Sequence, residues 1–130
     1  MKQDKKETQS LGMPWEKEYG YAQALKYGNK VWLAGQVGHD EKGKLADGMK
    51  AQMKQAYANI KKLLKGFGMT MDNVMEEVVY VTDLDAAFEA RKTIGKECYP
   101  DPMLVPSTLI EVKRLSLPGQ LIEIKIIAHN

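Results

Sequence analysis

Glu123, Arg91, Tyr21 and Cys98 are the side chains whose type and position could do chemistry in this sequence. Glu123 lies in the stretch 121–128, where Ile122, Ile124, Ile126 and Ala128 alternate to make one apolar face, so its carboxylate points away from that face. A carboxylate so placed reads, from the strand alone, as a solvent-facing partner for Lys125 or Lys113. Arg91 falls between Phe88 and Ile94 on the apolar stripe of a helix. A buried cation is costly unless paired. It therefore needs a carboxylate (Glu123, Glu89 or another), a route to water along its stem, or an anionic ligand. Cys98 shares that stripe with Leu84 and Phe88, and nothing electropositive nearby in sequence would depress its pKa, so it reads as a packed, inert thiol. His39, at a strand end, and His129, beside the C-terminus, read as solvated surface residues. There is no Gly-x-Gly-x-x-Gly, P-loop, paired-cysteine or His-Glu-x-x-His motif.

The elements that must position these groups follow from periodicity. Tyr21–Tyr27 alternates with period 2, Gly28-Asn29 reverses the chain, and Val31–Gln36 resumes a β-prone run. Residues 40–47 are a polar loop whose Asp47 can cap the next helix. In that helix Met49, Met53, Ala56, Ile60, Leu63 and Phe67 share one face, and Gly66 is its expected left-handed terminator. Met75–Val81 reads as a strand. Thr82 with Asp85 resembles a capping box opening a second helix that runs to about Cys98. Pro100, Pro102 and Pro106 mark a loop, followed by strands over 107–115 and 121–128 joined around Leu117-Pro118-Gly119. The predicted class is α+β, a sheet with two helices packed on one face.

With 130 residues, 44% hydrophobic and 28% charged, the chain is expected to form one domain over residues 11–130. Residues 1–10 are polar and read as a mobile lead-in. A net charge of +2 argues against nucleic acid or membrane as a partner, and Lys61, Lys62 and Lys65 read as a solvated helix end. One cysteine, no signal-like segment and no apolar run near the ~20 residues of a bilayer span point to the cytoplasm.

Gly20-Tyr21-Ala22-Gln23-Ala24, the Gly28-Asn29 turn, Ala34-Gly35-Gln36 and Leu121–Ala128 together resemble the Rid (YjgF) family, whose fold is of the chorismate-mutase type. The resemblance implies a homotrimer with clefts between subunits and no cofactor. It implies hydrolysis of an enamine or imine to a carbonyl compound and ammonia, with Glu123 positioning or deprotonating water, Tyr21 walling the site and the Gly35 backbone contacting substrate. At the family's carboxylate-gripping arginine this chain carries Ser107, followed by Thr108, as in the arginine-less subgroups. A hydroxyl donates one neutral hydrogen bond where an arginine makes a charged fork. Arg91 lies at about the position of a cleft asparagine of the family and is the alternative contact for an anionic small-molecule ligand. The alternative functions are a non-catalytic binding or regulatory protein, a chaperone-like protein, or the endoribonuclease and translation inhibitor of the older family label. Few clustered cations and few aromatics argue against the last.

Overall fold

The computed structural model describes residues 5–130. Its elements run β1 (Glu7–Gln9), α1 (Pro14–Tyr19), β2 (Ala24–Tyr27), β3 (Lys30–Val37), α2 (Met49–Lys65), β4 (Val74–Val81), α3 (Leu84–Arg91), α4 (Ile94–Glu97), β5 (Ser107–Glu111) and β6 (Ile122–His129). The strands form one mixed sheet in the order β1-β2-β3-β6-β4-β5, antiparallel throughout except for the parallel β4–β5 pair.

The core lies between this sheet and α2, α3 and α4. Ile122, Ile124, Ile126 and Ala128 of β6 are fully buried, as their alternation requires, and meet Met53, Ala56, Ile60 and Leu63 of α2. The α+β class and the one-sided helical layer are as predicted.

Several local expectations are corrected. Glu7–Gln9, read from sequence within the lead-in, pairs with β2, and Gln9 donates to the Gly66 carbonyl at 3.1 Å. Edge pairing uses backbone groups and leaves no side-chain pattern to read. Residues 1–4 of that segment lie outside the described residues. Asp47 does not cap α2, whose cap position is Gly48. Gly66 is right-handed, and the left-handed residue is Gly68, at the end of a short turn after the helix. The cap of α3 is Asp83, which accepts from the Ala86 amide, not Thr82. The helix expected to reach Cys98 breaks after Arg91 and restarts at Ile94. His39 is buried, not solvated: its ring sits 5.2 Å from that of Trp15, edge to face, and Nδ1 lies 2.8 Å from the Asp40 carbonyl. His129 is exposed as expected.

Candidate functional site

Glu16 fixes the segment that walls the site. Its carboxylate accepts from Ser10 Oγ at 2.6 Å, from the Leu11 and Met13 amides at 3.2 and 3.1 Å, and from Gln23 Nε2 at 3.3 Å. Gln23 in turn accepts from the buried Gln36 of β3 at 2.9 Å. Burial alone would raise the Glu16 carboxyl; these donors more than offset it and hold the group below its usual range. The helix α1 starts at Pro14, which suits a first helical position because it has no amide hydrogen to leave unpaired. The result is that Trp15, Tyr19 and Tyr21 stand together over the end of β3.

The chain changes register there. Leu33 pairs with Ile126 but Gln36 pairs with Ile124, so β3 carries one extra residue across a β-bulge. Leu33 and Gln36 both face the core, which leaves Ala34 and Gly35 together on the opposite face. Bulges commonly re-aim side chains beside active sites, and this one opens a pocket of about 510 Å³. Ala34, Gly35 and Val37 form its floor, Trp15, Tyr19 and Tyr21 one wall, and Ser116 with Leu117 another; the carboxylates of Glu18 and Glu123 complete it. Tyr21 is not within a strand, since β2 starts only at Ala24. Partial burial, then the charges of Glu16 and Glu123, push its phenol up, so it keeps its proton and can donate a hydrogen bond.

Glu123 pairs across β6 with Val37 and Tyr80 and lies directly over Gly35. Its carboxylate occupies the space that a Cβ at Gly35 would need. The buried amide of Gln120 donates to Glu123 Oε1 at 3.3 Å and to the Ile122 carbonyl, while its oxygen accepts from the Leu117 amide and Ser116 Oγ. One glutamine thus ties the Ser116–Leu117 wall to the acid. Gly35→Ala is expected to displace the Glu123 side chain and to reduce ligand binding and any turnover at least tenfold, a shift above ~1.4 kcal/mol. Unchanged binding in this variant would show that the position of Glu123 does not matter.

Ser107, Thr108 and Arg91 lie elsewhere in the chain. Ser107 faces the helices and donates to Glu77 Oε2 at 2.5 Å. Arg91 Nη1 lies 2.7 Å from the same oxygen, an ion pair whose N–H directions are not aligned on the carboxylate. Tyr57 and Tyr99 each donate to Glu77 Oε1 at 2.6 Å. Glu77 itself is fully buried. Burial alone would raise its carboxyl, but the hydrogen bonds from Ser107, Tyr57 and Tyr99, together with the Arg91 charge, lower it below 4.5. Desolvation opposes the Arg91 cation and the Glu77 charge outweighs it, so Arg91 stays protonated. Burial first, then the proximity of Glu77, push the Tyr57 and Tyr99 phenols far up, which keeps both as donors. Cys98, beside this cluster, is pushed up to about 11 by burial and then by the Glu77 charge, in keeping with an inert thiol. Thr108 pairs with Val78, which pairs with Lys125, so it shares the sheet face of Glu123 but stands outside the pocket.

Two parts of this arrangement escaped the sequence reading. Glu77 was legible: the spacing of Val79 and Val81 puts it on the core face, and Arg91 lacked a partner. The Trp15–Tyr19 wall was not, because a six-residue helix gives too short a window for periodicity. Among the described residues no cluster of His, Cys, Asp or Glu could hold a metal ion.

The sequence and the fold have counterparts in known proteins. The endoribonuclease L-PSP family model matches residues 15–130. A RutC family protein of Aquifex aeolicus is 30% identical over 110 residues, covering 83% of this chain and 86% of its own. A 2-iminobutanoate/2-iminopropanoate deaminase of Dermatophagoides farinae is 28% identical over 91 residues, covering 68% and 70%. The crystal structure of a Mycobacterium tuberculosis member of the YjgF/YER057c/UK114 family superposes with a TM-score of 0.85 at 27% identity, over 97% of this chain and 100% of that one. With the bulged strand, the one-sided helical layer and the family match over residues 15–130, this chain belongs to the Rid (YjgF) family, which is also called the endoribonuclease L-PSP family.

Proposed function

We propose that this protein hydrolyses an enamine or imine to a carbonyl compound and ammonia at the Tyr21–Gly35–Glu123 pocket. The observation that carries the reading is the Glu123 carboxylate, held by Gln120 directly over Gly35 in an aromatic-walled cleft. The reactive carbon of an imine is already electrophilic, so the protein need only orient it and supply water. Glu123 takes a proton as water attacks the imine carbon, giving a carbinolamine, and returns a proton to nitrogen as ammonia leaves. The Tyr21 phenol and the backbone at Gly35 orient the reacting group. The similarity to the mite deaminase supports the same chemistry.

Within one chain the Glu123 pocket is separate from Thr108 and from the Ser107–Arg91 pair, and a neighbouring copy is what would join them. The sheet face away from the helices supports such assembly. Leu25, Trp32 and Ile127 lie side by side across β2, β3 and β6, and Tyr80 and Ile110 continue the row of Glu123. These apolar groups are only partly buried in the single chain. A homotrimer is expected at micromolar concentration by light scattering. A monomeric mass there would leave the pocket to one chain alone and exclude a shared cleft.

An ammonia-release assay on imines generated in situ tests the reaction, with an RNA-cleavage assay run in parallel because the family carries the endoribonuclease name. Ammonia release above the uncatalysed rate supports the proposal. Saturable ligand binding without turnover supports the non-catalytic alternative instead.

A further inference from the structure

The charge and chemistry of the pocket walls define which imines fit, on the premise that this pocket is the reactive site. Its carboxylates are Glu18 and Glu123, its phenols are Tyr19 and Tyr21, and neither lysine nor arginine lines it. Three aromatic side chains face the same space, of which Tyr19 is 75% and Tyr21 42% exposed. The groups that were expected to grip an anion are engaged elsewhere. Arg91 is neutralised by the buried Glu77, and the Ser107 hydroxyl donates to that same carboxylate. In the single chain, then, neither the Arg91 charge nor the Ser107 hydroxyl is free to meet an anion at the pocket. Lys113 and Arg114 line an adjoining depression that shares Ser116 and Leu117, and they do not line the Glu123 pocket itself.

From this we infer that the site takes imines without a carboxylate, bound as the planar iminium cation with an aryl or other apolar substituent. A carboxylate beside Glu123 and Glu18 meets two like charges. An iminium meets two opposite ones, and the aromatic faces attract a flat cation through their negative quadrupole. The apolar substituent lies along Trp15, Val37 and Leu117. Hydrolysis is R–CH=NH2⁺ + H2O → R–CHO + NH4⁺, with no change of oxidation state. The reaction that must supply such a substrate is a two-electron oxidation of a primary amine, carried out by a separate amine-oxidising enzyme. The product is an aldehyde or, from a branched amine, a ketone.

Benzamidine and benzoate provide a test, since they share a planar aryl shape and differ in charge, and benzamidine is a stable mimic of an aryl iminium. Calorimetric or NMR titration of the full chain with each is expected to show benzamidine binding at least about tenfold more tightly, with signals of Trp15 and Tyr21 shifting. Glu123→Gln is expected to abolish most of that preference, and Glu18→Gln, a change at an exposed position, to reduce it severalfold. Benzoate binding as well as benzamidine, or neither ligand moving the Trp15 and Tyr21 signals, would overturn the inference. Turnover separates it from the parent proposal. Hydrolysis of imines made by an amine oxidase, faster than of imines made by an amino-acid oxidase, supports both. The opposite preference leaves the deaminase reading standing and removes this one. Benzamidine binding without turnover of either kind keeps the ligand class and removes the reaction.

Discussion

Glu123→Gln is expected to lower kcat/KM for imine hydrolysis by about 10²–10⁴-fold, the range for losing a positioned acid–base group. The amide keeps the shape of the side chain and its contact with Gln120 but cannot take a proton from water. Glu123 is only partly buried and outside the core, so the melting temperature should change little. The larger part of the effect should fall on kcat, because the group acts as the water attacks, with a rise in KM from the lost attraction for a cationic substrate. Single-turnover kinetics on wild type and variant, with circular dichroism melts alongside, measure both. A variant that keeps more than a tenth of the wild-type kcat would remove Glu123 from the mechanism.

Glu77→Ala is expected to destabilise the protein by roughly 3–5 kcal/mol, the cost of breaking a buried ion pair from one side. The carboxylate accepts from Ser107, Tyr57 and Tyr99 and neutralises Arg91, so its loss strands two buried hydroxyls and a half-buried cation. Against a typical total of about 5–15 kcal/mol, that is enough to leave the variant marginal. The same network sets a pH dependence. The folded-state value of Glu77 lies below the unfolded one of about 4.5, so its contribution is complete above that pH and is lost as pH falls through the lower folded value. Urea unfolding of wild type between pH 7 and pH 3 should show this loss. Glu77→Gln, which has no carboxyl to titrate, should start lower at neutral pH and fall less over the same acid range. Equal slopes for the two proteins would mean that Glu77 titrates alike folded and unfolded.

These two residues show different degrees of legibility. Glu123 stood out because every neighbour on the other side of its strand is apolar, and that alternation fixes the direction of a side chain without any tertiary information. Glu77 follows the same rule in β4, but a carboxylate on a buried face is informative only once its donors are known. Those donors come from α2, α3, β5 and the loop holding Tyr99. Arg91 announced that it needed a partner, and sequence spacing could not choose among the carboxylates.

The sequence by itself determined the class of the fold, the order of its principal elements, the buried faces of α2 and β6, and the family. Each rests on short-range periodicity or on a contiguous motif, both of which survive in one dimension. Only the tertiary structure decided where the chemistry is placed. The extra residue of the β3 bulge is invisible until β3 is laid against β6, yet it puts Ala34 and Gly35 together on the pocket side and brings Glu123 over Gly35. The strand at Glu7–Gln9 depends on backbone pairing, and the burial of His39 depends on Trp15 folding back over it. The engagement of Ser107 and Arg91 by Glu77 depends on β4, β5 and α3 converging. Contacts between distant segments carry no period along the chain, so they appear only when the sheet is assembled.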